Sequence, residues 1–459
     1  MTIFSGEKAL SHAKNISIPR LPGSSGEKKA VDYIKNKLKE IGWDVKEEEF
    51  FIPLTPWLLL RTLVFLALFL TIISRLLFFS IPILCSAITL LTALCFIFSL
   101  RIWLFISHSD LFHRKKRGIK TENIVASLNE KMSSRKKRLF LIAHHDSKSQ
   151  NISLPARALI TLFLVISLIF SSFLYISFYL KPEVIDIYHA LNILTIFSVI
   201  CLLPLLFLRT ENKSAGSLDN ASSVGILLEL AEILKKNPTK NIGVSLLFTG
   251  AEEHALIGAS AFLNRHLSNL NQDKDLFLNL DAAINNRIMV SLSKKKDKEL
   301  TSLMREISKE RAIKLSYIPF LPGLLMDHIS FSYKNLKAAS LYSISKKSRF
   351  IHTSKDTPIL LDKEGLKNTG QLIEGVIRRL DIKGIPIKVD AYSGYISDQR
   401  PNSFILNDKK YTIKEIISMT KEEDLDRRRI RRFMVKTETD ETYNIYYDEE
   451  LKRWFLNKR

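Results

Sequence analysis

The chain has 459 residues and a formal net charge of +21, with 68 Lys and Arg residues against 47 Asp and Glu residues. Such a basic chain suits either nucleic acid or an anionic membrane surface, but no recognised nucleic-acid module accompanies the charge, and no nucleic-acid partner is expected. The only three cysteines lie in long apolar stretches, so the sequence indicates no disulfide framework for the soluble part.

Four apolar stretches are long enough to cross a membrane, because roughly 20 residues span the hydrocarbon core. They form two pairs, Pro56–Arg75 with Leu76–Leu100 and Ala156–Leu180 with Ile187–Leu208. A core helix rarely runs so long without a polar face. The sequence therefore predicts two transmembrane helix pairs.

Short apolar runs with polar ends predict four buried strands. In chain order they are Arg138–Ala143, Ile242–Phe248, Asp275–Leu280 and Ala338–Ile344. Helical stretches such as Val224–Leu234 and Gly365–Leu380 alternate with them. This alternation predicts an α/β fold with a mostly parallel central sheet and helices on both faces.

Five short motifs each contain a residue type that binds metal ions. They are AHHDS at 143–147, SLDNAS at 217–222, TGAEEHALIGAS at 249–260, LNLDAA at 278–283 and FIHTSKDT at 350–357. Four of them follow a predicted strand, and chemistry in such sheets lies outside the carboxyl ends of the strands. Asp219 instead precedes a predicted helix, Ala221–Leu234, whose N-cap favours a carboxylate. The order of the motifs therefore predicts that their ligands converge.

The five motifs, in this order, resemble the family-28 metallopeptidases, the zinc exopeptidases of the aminopeptidase Y and bacterial leucyl aminopeptidase type. The segment at 18–50 is similar to the opening helix and strand of that family. The resemblance covers roughly residues 15–55, 115–150 and 211–380. Each motif is weak alone, but together they are highly specific, and they imply a zinc exopeptidase-like fold.

The resemblance also implies the role of each site residue. Asp219 bridges two metal ions, His144 and Asp281 complete one site, and Glu253 and His352 complete the other. Glu252 is the general base, and Asp146 is the carboxylate that orients His144. His145 lines the pocket. Asp327 and His328 are second-shell or substrate-side groups. A loop cap is the alternative role for Asp327.

The chemistry of the residues agrees with that assignment. Imidazole and carboxylate ligands without thiolate suit a catalytic zinc site, although Co²⁺ or Mn²⁺ would also accept them. Two zinc ions about 3.5–4 Å apart activate a water molecule and polarise the scissile carbonyl. Glu252 would take the proton from that water and deliver it to the leaving amine.

These features predict six segments. The peptidase domain is expected at 1–55, 108–155 and 209–382, and the two transmembrane hairpins at 56–107 and 156–208. After residue 382 the resemblance stops, and alternating apolar and polar residues predict a small β-rich accessory domain at 383–459.

The charge pattern predicts the orientation in the membrane. Four spans put both termini on one side together with 101–155, which holds basic runs at 114–117 and 135–138. The positive-inside rule then places the catalytic domain and both termini in the cytoplasm. The glycosylation sequon Asn220-Ala-Ser222 favours the same side, because a glycan there would obstruct the metal motif. The first residues lack the apolar core of a signal peptide.

The sequence thus predicts a membrane-anchored zinc aminopeptidase that acts on short peptides, with the lipid bilayer as its other partner. One alternative is a glutaminyl-peptide cyclase, which shares the fold but works with a single zinc ion. The other is a membrane scaffold that keeps the fold without turnover, although the intact Glu252 argues against it. The zinc content of the protein distinguishes hydrolysis from cyclisation.

Overall fold

The computed structural model describes residues 4–53, 55–114, 117–128, 137–182, 185–282, 287–292, 298–318, 325–381, 384–392, 400–406, 409–423, 429–449 and 453–457. The chain divides into two compact units, Ile3–Ile377 and Arg378–Arg459.

The helices alternate with strands through the larger unit. The helices are α1 (Gly6–Ile16), α2 (Ser25–Ile41), α3 (Thr55–Leu77), α4 (Pro82–Ser107), α5 (Asp110–Arg114), α6 (Leu154–Leu180), α7 (Ile185–Leu206), α8 (Ser222–Lys236), α9 (Ile257–His266), α10 (Lys298–Glu310), α11 (His328–Tyr333) and α12 (Lys363–Leu380). The strands are β1 (Asp44–Ile52), β2 (Ile119–Ser127), β3 (Lys137–His144), β4 (Ser149–Gln150), β5 (Thr210–Glu211), β6 (Ile242–Thr249), β7 (Asp275–Asp281), β8 (Arg287–Leu292), β9 (Lys314–Tyr317) and β10 (Lys337–Tyr342).

The central sheet has eight strands in the order β1-β2-β6-β3-β7-β10-β8-β9. Its middle strands β6, β3, β7 and β10 run parallel. Antiparallel pairs join β1 to β2, β2 to β6 and β8 to β10, and the edge strand β9 runs parallel to β8. The predicted α/β fold is confirmed, with a sheet that is parallel at its centre and mixed overall. All the residues of β6 and β7 are buried, which explains why these strands read as continuous apolar runs.

Helices cover the middle of the sheet. On one face Phe140 and Ile142 of β3 form a core cluster with Phe262 of α9 and Phe331 of α11. Alternation along the strand sends Leu139 and its odd-numbered neighbours to the opposite face, where α8 contacts β3. The helices leave uncovered the edge of the sheet where the parallel strands have their carboxyl ends, and the candidate metal centre lies at this edge.

Four helices, α3, α4, α6 and α7, have spans long and apolar enough to cross a membrane. Apolar side chains from all four helices form one cluster, which includes Val64, Ala93, Leu164 and Leu202. Serine pairs add hydrogen bonds between helices, as transmembrane packing favours. The predicted boundary between the first two spans, at Arg75 and Leu76, is wrong. Helix α3 continues to Leu77, and α4 begins only at Pro82, where proline suits the first helical turn.

The two helix pairs are inserted at different points of the larger unit. Helices α3 and α4, here called hairpin 1, connect β1 to β2 through the short helix α5. Helices α6 and α7, here called hairpin 2, connect β4 to β5, which pair antiparallel at the root of the hairpin. The predicted basic runs at 114–117 and 135–138 fall partly outside the described residues.

The smaller unit is a closed barrel of six strands. They are β11 (Ile385–Tyr392), β12 (Arg400–Leu406), β13 (Lys409–Glu423), β14 (Arg429–Thr437), β15 (Thr442–Asp448) and β16 (Arg453–Leu456). Its core contains Phe404, Phe433, Val435 and Trp454. The predicted β-rich C-terminal domain is therefore a barrel, whose closure removes exposed sheet edges.

Candidate metal centre

The parallel strands bring the five motifs to one edge of the sheet. His144 is the last residue of β3 and Asp281 is the last residue of β7. Glu252 and Glu253 form a short 3-10 turn just after β6, and His352 follows β10. The expected convergence is therefore present in the structure.

His144, Asp219 and Asp281 form one half of the centre, here called the His144 half. Their ligand atoms all lie within 4.8 Å of one another. The Nε2 atom of His144 lies 3.0 Å from Oδ1 of Asp219 and 3.9 Å from Oδ1 of Asp281. On the other side of the ring, Nδ1 lies 3.2 Å from the backbone oxygen of Asp146 and 3.4 Å from its carboxylate. The backbone oxygen can only accept, so Nδ1 donates and Nε2 is left for a metal.

His352, Glu253 and Asp219 form the other half, here called the His352 half, and their ligand atoms also lie within 4.8 Å of one another. The Nε2 atom of His352 lies 2.9 Å from Oε2 of Glu253 and 3.2 Å from Oδ2 of Asp219. Two cations contact this half. Lys148 Nζ lies 2.9 Å from Oε2 of Glu253, and Arg157 Nη2 lies 3.3 Å from Nδ1 of His352.

Asp219 does not occupy the predicted helix N-cap. It lies in the turn Ser217–Ala221 and has non-helical backbone angles, and α8 begins at Ser222 with Ala221 as its N-cap. Asp356 explains the difference, because its carboxylate accepts the backbone N–H groups of Leu218 (2.8 Å) and Asp219 (3.3 Å). The Asp219 side chain is consequently free to face both histidines.

Asn220, in the predicted sequon, is fully buried. Its side chain donates to the backbone oxygen of Leu280 (2.8 Å) and accepts from the N–H of Ala282 (3.1 Å). These bonds join the Asp219 turn to the end of β7. The sequon therefore carries no information about membrane orientation.

Arg20 is a fully buried residue that the sequence did not single out. Its Nε atom donates to the backbone oxygen of His145 (2.7 Å), and its other nitrogens donate to the backbone oxygens of Ala215 (2.5 Å) and Gly216 (3.0 Å). Arg20 thereby ties the loop after β3 to the turn that carries Asp219. No sequence signal distinguishes it from an exposed arginine, because its burial depends on the meeting of these two loops.

The Glu252–Glu253 turn is held by Asp146. The two oxygens of that carboxylate accept the backbone N–H groups of Glu252 (3.1 Å) and Glu253 (3.2 Å). Asp146 therefore supports both the imidazole of His144 and the turn beside it.

The backbone around the ligands is strained. Ala251, Ala255 and Leu256 flank the turn with φ of 53°, 65° and 65°, Ala282 follows Asp281 with φ of 47°, and His352 itself has φ of 62°. L-residues adopt this left-handed region at a cost, and such residues cluster at functional sites. Gly258 allows the turn to approach α9, since a Cβ there would lie 1.9 Å from the oxygen of Gly250.

Buried carboxylates crowd the centre and shift its pKa values in opposite directions. Burial, with Asp281 and Glu253 nearby, raises the pKa of Glu252 well above its ordinary value, and burial beside Asp219 does the same for the pKa of Asp281. Hydrogen bonds from His144 and His352 outweigh burial and lower the pKa of Asp219. The nearby His352 and Lys148 outweigh burial and lower the pKa of Glu253.

The residues fit divalent metal ions. Buried carboxylates need nearby positive charge, and a cation between the two halves supplies it. Oε1 of Glu253 is buried without a hydrogen-bond partner, and the two oxygens of Asp219 face different histidines. The donors are nitrogen and oxygen without thiolate, which suits zinc in a catalytic site.

Three further predicted site residues lie around the centre. His145 is fully buried and its Nε2 lies 2.9 Å from the backbone oxygen of Glu122, so it braces β2 and does not line a pocket. Burial lowers the pKa of His145 to about 4. Asp327 accepts a hydrogen bond from the hydroxyl of Thr249 (2.5 Å) and, at the N-cap position of α11, makes no side-chain cap bond to that helix.

His328 lies farther back in the fold. Its ring nitrogens lie 2.7 Å from Oγ of Ser340 and 3.2 Å from Oγ of Ser291, on strands β10 and β8. Burial lowers its pKa to about 3, so the ring is neutral. These contacts are to the core of the sheet.

The sequence of the chain is similar to those of known peptidases. The family model of Peptidase family M28 matches residues 123–377, more than half of the chain. The chain is 26% identical over 179 residues to Aminopeptidase YwaD of Bacillus subtilis, a match that covers 36% of this chain and 37% of that protein. The chain thus matches little more than a third of the length of this curated relative.

Solved structures with a similar chain path include two enzymes. One is BSAP, a zinc aminopeptidase from Bacillus subtilis, with 14% identity, a TM-score of 0.49, and coverage of 82% of this chain and 95% of that one. The other is a glutaminyl cyclase from an Acidobacteriales bacterium, with 13% identity, a TM-score of 0.48, and coverage of 83% and 96%.

Proposed function

The chain belongs to peptidase family M28, and from that premise we propose that it is a membrane-anchored, zinc-dependent aminopeptidase that acts on short peptides. The position of Asp219 carries this proposal. Its Oδ1 faces Nε2 of His144 at 3.0 Å, and its Oδ2 faces Nε2 of His352 at 3.2 Å. A carboxylate with one oxygen towards each half suits a bridge between two ions.

Five side chains would hold the two zinc ions. His144 and Asp281 would bind one ion, Glu253 and His352 the other, and Asp219 both. When bound, zinc supplies a Lewis acid that polarises the scissile carbonyl and makes water a stronger nucleophile at neutral pH.

Glu252 would move the proton. Its Oε2 lies 3.9 Å from Nε2 of His144, so the carboxylate borders the His144 half, but Glu252 is not one of the three residues whose ligand atoms all lie within 4.8 Å of one another. It is buried at the edge of the centre, where a carboxylate can take a proton from water and then give it to the leaving amine. Asp146 would keep Glu252 in place through its bond to the backbone N–H.

The test of the reaction uses the variant Glu252→Gln in zinc-loaded protein. We expect the release of amino-terminal residues from a small peptide panel to fall by about 100-fold or more, because the general base is lost while the ligands remain. Zinc content should stay at the wild-type level. Unchanged hydrolysis in the variant would end the proposal.

The same experiment separates the alternatives. A protein that binds zinc and cyclises an amino-terminal glutamine without releasing residues would be the cyclase. A protein that binds zinc and transforms neither kind of peptide would be the scaffold. Amino-terminally acetylated peptides serve as the control, because an aminopeptidase requires a free amino group.

The four apolar helices would anchor the enzyme with its catalytic unit on the cytoplasmic face. The chain near the hairpin roots carries basic residues such as Arg114, Arg117 and Arg209, whereas the far ends carry Arg75 and Lys181. The positive-inside rule favours this orientation. A reporter fused after Arg459 should be active in the cytoplasm, and cleavage of that fusion by protease outside intact cells would contradict it.

A further inference from the structure

The two halves of the metal centre differ in the groups behind their histidines. Behind His144 lie oxygen atoms, because its Nδ1 is 3.2 Å from the backbone oxygen of Asp146 and 3.4 Å from the carboxylate of the same residue. Behind His352 lies a cation, because its Nδ1 is 3.3 Å from Nη2 of Arg157. An acceptor behind a metal-binding imidazole fixes its tautomer and raises its basicity.

Arg157 has the opposite effect on its neighbour. A guanidinium only donates, so it cannot accept the N–H that a neutral imidazole turns away from its metal. The contact favours the tautomer of His352 with its proton on Nε2, the atom that faces Glu253 and Asp219. A metal ion at Nε2 must displace that proton while a positive charge stays behind the ring.

Lys148 acts on the second ligand of the same half. Its Nζ lies 2.9 Å from Oε2 of Glu253 and also donates to the backbone oxygen of Glu253 at 2.8 Å. The ammonium therefore occupies a lone pair and neutralises charge on the carboxylate that would bind the metal. Its side chain is only 12% exposed, so solvent screens little of this charge.

Carboxylates contact the His144 half, and the buried Arg20 beside it donates to backbone oxygens and not to a ligand side chain. Oε2 of Glu252 lies 3.9 Å from Nε2 of His144, and Asp146 lies directly behind the ring. Among the described residues, the two contacts from Lys or Arg to the site's ligands, those of Lys148 and Arg157, both go to the His352 half. Direct contacts from Lys and Arg side chains to the ligands therefore distinguish the two halves.

We propose that the two zinc sites have unequal affinities, with the His144 half binding tightly and the His352 half weakened by Lys148 and Arg157. This inference rests on the proposed two-zinc function and adds an order of occupancy to it. Lys148 immediately precedes β4 and Arg157 lies in the first turn of α6, so both cations come from the root of hairpin 2. The root of hairpin 2 thus sets the affinity of the second site.

The experiment is a competition titration of metal-free, detergent-purified full-length protein with zinc against a chromogenic chelator. We expect two affinities in the wild-type protein that differ by about 10-fold or more. His352→Ala should remove the weaker one and His144→Ala the tighter one. Arg157→Gln and Lys148→Met should each strengthen the weaker site by about 10-fold and leave the tighter site within about threefold.

Lys213→Met is the matched control, because Lys213 lies beside the same hairpin root but is 65% exposed and paired with Glu211. It should change neither affinity. Size-exclusion profiles and melting temperatures identify any variant that fails to fold, and the two cation variants test the idea independently. A wild-type protein that holds one zinc through His144 and gains a second upon Arg157→Gln would support the same conclusion.

Equal affinities in the wild-type protein would overturn the inference while leaving the proposed function intact. So would weaker zinc binding, or unchanged binding, in both cation variants. Absence of zinc binding would overturn the proposed function as well, so the two failures are distinguishable.

Discussion

The two hairpins contact the metal centre in different ways. Hairpin 1 reaches the Glu252–Glu253 turn through neutral contacts, since Trp103 Nε1 donates to the backbone oxygen of Ala255 (2.7 Å) and Leu104 packs against Leu256 and Ile329. Hairpin 2 reaches His352 through the charge of Arg157. Hairpin 1 therefore positions the turn that carries the proposed base, whereas hairpin 2 changes the electrostatics of a proposed ligand.

We therefore expect different effects from substitutions at the roots of hairpin 1 and hairpin 2. Changes at the root of hairpin 1 should lower the free energy of unfolding and leave metal affinity nearly unchanged. Changes at the root of hairpin 2 should alter metal affinity with little loss of stability. Asp146, which touches both His144 and the Glu252–Glu253 turn, should do both.

Asp146→Asn should have the largest effect. The amide removes the negative charge behind His144 and replaces one of the two oxygens that hold the Glu252–Glu253 turn. We expect zinc affinity to fall by about 10–100-fold and hydrolysis to fall with it. Chelator titration and peptide hydrolysis measure the two losses, and unchanged zinc affinity would show that Asp146 does not support the site.

Acid should destabilise the core of the central sheet through His328, whose ring lies between Ser340 and Ser291. The pKa of this buried ring is lowered to about 3, against about 6.5 in the unfolded chain. A lowered pKa gives stability that is complete above pH 6.5 and is lost as pH falls towards 3. Between pH 6.5 and 5 the loss from this group is about 2 kcal/mol.

His328→Gln should remove that part of the pH dependence. Urea unfolding of the wild-type protein and the variant at pH 7 and pH 5 provides the comparison. Parallel losses of stability in the two proteins would show that His328 does not cause the acid sensitivity.

Trp103→Phe tests the neutral contact of hairpin 1. The variant keeps an aromatic ring but leaves the backbone oxygen of Ala255 without its donor, at a cost of about 1 kcal/mol. Zinc affinity should stay within about twofold of the wild type. Phe105→Leu is the control, because Phe105 lies on the same helix and is 71% exposed.

Ser172→Ala should have the smallest effect. Ser172 of α6 and Ser86 of α4 exchange hydrogen bonds between the hairpins, with their hydroxyl oxygens 2.8 Å apart. Such bonds contribute about 0.6 kcal/mol inside membranes. Steric-trap or denaturant unfolding in mild detergent would detect this change, and a loss several times larger would mean that the two hairpins unfold as one unit.

Much of the fold was predictable because the middle strands are buried on both faces. Strands β3, β6 and β7 read as short apolar runs, and the residues at their ends carry the ligand types. The α/β fold and the C-terminal β-rich domain are accordingly confirmed. The ligand roles of His144, Glu253 and Asp281 stay predictions, although the structure brings these residues together.

Other features depend on contacts between distant segments. The turn at Asp219 resembles a helix N-cap in sequence, and only the bonds from Asp356 explain why it is not one. In the sequence, Arg20 and Lys148 resemble ordinary surface cations, because their burial depends on contacts between distant loops. Arg157 likewise reads in the sequence as one of the basic residues that commonly flank a membrane span.

The most direct test of the proposed function is metal analysis of detergent-purified wild-type protein and His352→Ala, coupled to the release of amino acids from short peptides. We predict about two zinc ions per zinc-saturated chain, fewer in the variant, and release of amino-terminal residues by the wild-type protein. A protein that binds no zinc and releases no residues would contradict the proposed function.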